Sequence, residues 1–106
     1  MAGVAGINPF YSCRKCRTPV ALRDDLLSKK FVAKYGGAYM FTRAMNIVLG
    51  QKQDRQLITG KYDVSEVFCS NCNEYLGWKY IRSYDTREKY KEGRFVIEKA
   101  KILKEY

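Results

Sequence analysis

Phe68-Cys69-Ser70-Asn71-Cys72-Asn73-Glu74-Tyr75-Leu76-Gly77-Trp78-Lys79-Tyr80 is the stretch whose reading decides the fold. It carries one Cys-x-x-Cys pair and, shortly after it, the single tryptophan of the 106-residue chain. A matching pair, Cys13 and Cys16, lies near the N-terminus, and 52 residues separate the two pairs. Two such pairs supply four thiolates to one tetrahedral zinc and leave no coordination position for water, so the expected metal is structural and not catalytic. Trp78 is expected to sit just below it.

Working outward, Tyr75 to Tyr84 reads as a strand, with Leu76, Trp78 and Tyr80 on one face and Gly77, Lys79 and Ile81 on the other. Upstream, Leu57-Ile58-Thr59 and Tyr62 to Cys69 read as strands separated by a bend at Gly60. Ala38 to Leu49 alternates through Tyr39, Phe41, Met45, Ile47 and Leu49 and predicts one long strand, ended by Gly50 and followed by a polar loop over Gln51–Arg55. Gly36-Gly37 reads as a break, Asp24-Asp25 with Ser28 behind it as a turn, and Lys29-Lys30 as exposed. Phe10-Tyr11-Ser12 leads into the first knuckle, and Thr18-Pro19 forbids a helix after it. Downstream, residues 85–93 read as a polar loop or one helical turn, and Phe95-Val96-Ile97 opens a last strand. The expectation is an all-β fold with little helix, two small antiparallel sheets pinned by zinc. Residues 1–9 would form a flexible lead-in, 10–104 the zinc-binding domain, and 105–106 a tail.

Four cysteines in a chain this short also suit two disulfides in a secreted protein. The opening Met1-Ala2-Gly3-Val4-Ala5-Gly6 has no basic region and no apolar core of a signal peptide, and Ala2 gives no myristoylation signal. No run approaches the roughly 20 apolar residues of a membrane-spanning helix. The expected location is therefore the nucleus or cytoplasm, without membrane association, where paired cysteines read as zinc ligands. The formal charge of +9 is spread along the chain, and four thiolates with one Zn²⁺ would bring it nearer +7. A basic, tyrosine-rich chain keeps nucleic-acid binding open as an alternative.

Tyr11-Ser12-Cys13, Cys16, Ala38-Tyr39-Met40-Phe41, Asn46, Thr59-Gly60, Cys69, Cys72, Leu76-Gly77-Trp78-Lys79-Tyr80 and Lys89-Tyr90-Lys91-Glu92-Gly93-Arg94-Phe95 resemble the Yippee family over residues 10–104. The resemblance implies one structural zinc on Cys13, Cys16, Cys69 and Cys72, and a β-tent fold shared with the ligand-binding domain of cereblon. By that analogy Trp78 and Tyr80, with Leu76 on the same strand, line a pocket whose remaining walls fall at Ile58 and Val64. Neither is aromatic, so a full aromatic cage is not expected. Yippee proteins usually carry histidines where this chain has Arg23 and Tyr62, and this chain has no histidine at all. The related methionine sulfoxide reductases need a further reactive cysteine, which is also missing. The resemblance thus implies a non-catalytic, zinc-binding protein-interaction module in the nucleus or cytoplasm, a subunit or adaptor of a ubiquitin-ligase-type assembly. The alternatives are a nucleic-acid-binding zinc domain, or a reader of small molecules or modified residues at Trp78.

Overall fold

The computed structural model describes residues 8–33 and 36–106. Residues 1–7 of the expected lead-in lie outside them. The strands are β1 (Phe10–Cys13), β2 (Pro19–Leu22), β3 (Leu26–Ala33), β4 (Gly36–Phe41), β5 (Ile47–Leu57), β6 (Gly60–Cys69), β7 (Tyr75–Ser83), β8 (Phe95–Glu98) and β9 (Ile102–Lys104). Three short 3₁₀ turns, Arg23–Asp25, Thr86–Lys91 and Lys99–Lys101, are the only helical pieces among the described residues. None is long and apolar enough to cross a membrane.

The strands form a three-stranded sheet, β2-β1-β9, and a six-stranded sheet, β3-β4-β8-β7-β6-β5, with antiparallel pairing throughout. The first knuckle joins β1 to β2 in the small sheet, and the second joins β6 to β7 in the large one. The four cysteines therefore tie one sheet to the other, although the second sheet is larger than expected. Around them lies one buried cluster that includes Tyr11, Val20, Phe41, Val67, Leu76, Ile97 and Ile102. A second cluster, Met40, Tyr62, Val64, Tyr80 and Val96, is flanked by Phe31, Leu57 and Trp78. Where β7 crosses β8, a Cβ on Gly77 would come 1.9 Å from the Val96 carbonyl oxygen, so only glycine permits the approach.

The expected long strand over Ala38–Leu49 is two strands that lie apart in the large sheet. The alternation continues across the break, but the backbone does not. Asn46 adopts φ 54°, its amide donates to the Pro19 carbonyl at 2.7 Å, and Met45 N–H donates to Val20 at 2.8 Å. Hydrogen bonds to the small sheet replace those a continuing strand would make. Nor does Gly50 end a strand: β5 runs through it to Leu57, in place of the expected polar loop. A Cβ at Gly50 would press on the Phe68 ring at 3.2 Å, which accounts for glycine inside the strand. The Lys29-Lys30 segment belongs to β3, and Gly36-Gly37 opens β4. Both β3 and β5 are edge strands, where solvent on one side permits polar side chains in both alternating sets.

Residues 85–106 pack on the domain. Glu105 N–H donates to the Phe10 carbonyl at 2.9 Å, and the Tyr106 and Tyr11 hydroxyls lie 2.9 Å apart. The Glu105 carboxylate accepts from Ser12 and from the Arg17 guanidinium, which holds its pKa below the ordinary carboxylate value. Within the polar 85–93 segment, Lys91 is buried. Its ammonium donates to Glu88 at 2.8 Å, Thr59 at 3.0 Å and Tyr62 at 3.1 Å, tying the Thr86–Lys91 turn to the β5–β6 hairpin.

Candidate metal centre and cleft

The two knuckles repeat one backbone design. In the first, Cys13 N–H donates to Thr18 at 2.8 Å and Arg17 N–H to Cys13 at 2.7 Å, with Arg17 at φ 66°. In the second, Cys69 N–H donates to Glu74 at 2.9 Å and Asn73 N–H to Cys69 at 2.9 Å, with Asn73 at φ 64°. The left-handed residue follows the second cysteine each time and turns the chain back into its strand. Backbone N–H groups of Lys15 and Cys16 reach the Cys13 sulfur, that of Thr18 the Cys16 sulfur, and that of Glu74 the Cys72 sulfur. These donors favour thiolates.

The four sulfurs of Cys13, Cys16, Cys69 and Cys72 all lie within 4.8 Å of one another. Cys13 faces Cys72 at 3.6 Å and Cys16 faces Cys69 at 3.5 Å, each pair drawn from opposite knuckles. Sulfurs around a tetrahedral zinc at about 2.3 Å are themselves about 3.8 Å apart, so the cluster has the dimensions the ion needs. Its electrostatics agree. Burial raises the Cys13 thiol and pushes Cys72 up to about 12, whereas the Thr18 hydroxyl and N–H bring Cys16 down to about 6. Four thiolates this close require a dication to offset their repulsion and desolvation. Thr18 also links the knuckles: its hydroxyl lies 3.1 Å from the Cys16 sulfur and accepts from the Asn71 amide at 3.1 Å.

The site and the fold define a small all-β protein organised on a four-cysteine zinc centre. The family described as "Yippee zinc-binding/DNA-binding /Mis18, centromere assembly" matches residues 10–105. Two yippee-like proteins of Arabidopsis thaliana are each 56% identical to this chain, one over 92% of it and 93% of its own length, the other over 91% of both. A yippee-like protein of Rattus norvegicus is 41% identical over 90% of this chain and 75% of its own. Among solved structures, a Mis18 "Yippee-like" domain aligns with a TM-score of 0.70 over 92% of this chain and 94% of that one, at 15% identity, a likeness of fold. The chain belongs to the Yippee–Mis18 family. The family is zinc-binding, and Cys13, Cys16, Cys69 and Cys72 are positioned to bind one ion.

Trp78 does not sit below the metal. It flanks the second buried cluster, and the residue packed on the cysteine side is Leu76. The cause is a bulge. β6 pairs Phe68 with Tyr75 but Val67 with Gly77, so Leu76 is an extra residue on β7 and leaves the face that Trp78 and Tyr80 share. A cleft of about 770 Å³ opens over that face, between the end of β3 and the β5–β6 hairpin. Trp78, Tyr80 and Ile58 line it; Leu76 and Val64 do not. Val64 lies directly opposite Tyr80, fully buried beneath the floor. Trp78 meets Tyr80 edge-on at 6.3 Å, and its buried indole N–H has no well-aligned hydrogen-bond partner among the described residues.

Phe31, Tyr75, Glu66 and Glu98 also line the cleft, and sequence reasoning missed all four. Phe31 escaped notice because β3 did not read as a strand. The two acids become legible only through register: Trp78 pairs with Glu66 on one side and with Val96 on the other, and Glu98 stands two residues beyond Val96 on the same face.

Proposed function

We propose that the chain is a zinc-organised, non-catalytic interaction module that presents the cleft over Trp78 to partner proteins. Yippee-like proteins are not known as enzymes. A centre with four cysteine ligands leaves its metal no open position, and the chain contains neither histidine nor a fifth cysteine. The observation that carries the reading is the apolar rim of the cleft. Val32 at the end of β3 is 80% exposed, and Ile58 at the opposite hairpin tip is fully exposed. Large apolar side chains held in water on both sides of an aromatic floor mark a docking surface. The assembly proposed is a regulatory one of the ubiquitin-ligase type, in the nucleus and cytoplasm.

Affinity capture from cells tests this directly, comparing wild type with Trp78→Ala after both show equal zinc content and melting temperature. Ligase subunits identified by mass spectrometry with the wild type and lost with the variant support the reading. An unchanged partner set removes the cleft from it. The net charge of +9 favours a second reading, nucleic-acid binding through the basic surface. Band shifts with single-stranded and duplex DNA at two salt concentrations decide it: steep salt-dependent binding supports this reading, and none near physiological salt ends it.

A further inference from the structure

The cleft contains a carboxylate with no ion-pair partner among the described residues. Glu98 is 3% exposed and lines the aromatic floor. Every other acidic side chain of the protein except Asp63 forms an ion pair. Asp63 lies at the far end of β6, where the Tyr84 hydroxyl donates to it at 3.2 Å. Glu98 has the Tyr75 hydroxyl as a neighbour, and burial followed by that carboxylate pushes the tyrosine pKa up to about 12. A buried carboxylate is costly unless it is paired. Among the described residues, the cations nearby are already engaged or stand at the rim. Arg55 is held by Glu66 at 3.3 Å, and the Lys91 ammonium spends its donors on Glu88, Thr59 and Tyr62. Lys30 is exposed at the mouth.

From Glu98, unpaired among the described residues and lining the cleft together with the rings of Trp78, Tyr75, Tyr80 and Phe31, we infer that the cleft receives a lysine side chain of a partner polypeptide. Its methylene stem lies against the rings, and its ammonium donates to Glu98. Aromatic faces attract a desolvated cation through their quadrupoles, and the carboxylate fixes its position with a charge-assisted hydrogen bond. A cavity of about 770 Å³ holds the side chain with its flanking residues. The complementarity is local: the net charge of the zinc-loaded protein, near +7, disfavours a cationic peptide overall, so a lysine preference points to this site. This inference rests on the reading of the cleft as a docking face.

The test uses the zinc-loaded protein and two capped pentapeptides identical except for a central lysine or norleucine, titrated to millimolar concentration. Trp78 emission, the only indole signal, reports binding. The expected result is at least roughly tenfold tighter binding of the lysine peptide, with the preference abolished in Glu98→Gln. Equal binding of both peptides to the wild type overturns the inference without using any variant. It leaves the cleft standing as an apolar docking face if Trp78→Ala still loses its partners in cells. Binding of neither peptide also overturns it. An unchanged partner set in Trp78→Ala overturns the underlying reading instead.

Discussion

At the scale of single residues, two positions carry constraints that their neighbours do not explain. Gly77 is one. Its missing Cβ is the space through which the Val96 carbonyl passes, and β7 cannot move away without breaking its pairing with β8. Gly77→Ala is expected to cost about 3 kcal/mol or to prevent folding, read as the urea midpoint. Gly37→Ala is the control, since its Cβ would meet only the flexible Lys99 side chain at 4.0 Å. Lys91 is the other. Burial alone lowers its pKa, but hydrogen bonds to Glu88 and Tyr62 outweigh that and raise it above the ordinary lysine value. Because the folded value is the higher one, its contribution is complete below the unfolded pKa of about 10.4 and is lost as pH rises beyond it. Lys91→Met should therefore lower stability by about 3 kcal/mol at pH 8. Melting wild type and variant side by side should show that gap shrinking by pH 11.

At the scale of elements, legibility followed burial. The knuckles, β6, β7 and β8 were readable because cysteine spacing and half-buried alternation are local signals. β3 and most of β5 were not: as edge strands they show Ser28-Lys29-Lys30 and Gln51–Gln56 to solvent, and such sequences look like loops. The Leu76 bulge was also invisible, because it arises from a mismatch between β6 and β7 that neither strand reveals alone. That bulge divides the strand's work, sending Leu76 to the zinc side and Trp78 with Tyr80 to the cleft. The same scale explains why the last residues are not a free tail. Glu105 joins β9 to the first knuckle through Arg17 and to β1 through Ser12. Arg17 and Ser12 depress the Glu105 pKa, so its contribution is present above the unfolded carboxylate value, about 4.3, and fades as pH falls through the folded one. Glu105→Gln should lower the melting temperature slightly at pH 7, by a difference that shrinks as pH falls below the unfolded carboxylate value. A difference that does not shrink with falling pH would show that the side chain acts through packing and not charge.

At the scale of the whole molecule, the metal is the junction between two sheets. Two sulfurs come from the β1–β2 turn and two from the β6–β7 turn. The segment between the pairs contains β3, β4 and β5, so coordination closes a 52-residue loop as well as joining two layers. The buried cluster at that junction, with Cys13 and Cys69 fully buried beside Tyr11, Val20 and Phe41, depends on both layers being present. Without the ion, the same space must hold four thiols at van der Waals distance, and the small sheet, with strands of only three or four residues, has little else to hold it. Binding free energy at a structural zinc site is largely folding free energy. Chelation is therefore expected to lower the melting temperature sharply and to abolish the near-ultraviolet signal of the tyrosines, with re-addition of Zn²⁺ restoring both. The second cluster beneath Trp78 lies entirely within the large sheet, so Trp78 emission should change after the small sheet's signal or together with it, never before. An unchanged melting temperature after zinc loss has been verified by elemental analysis would show that apolar packing alone joins the sheets.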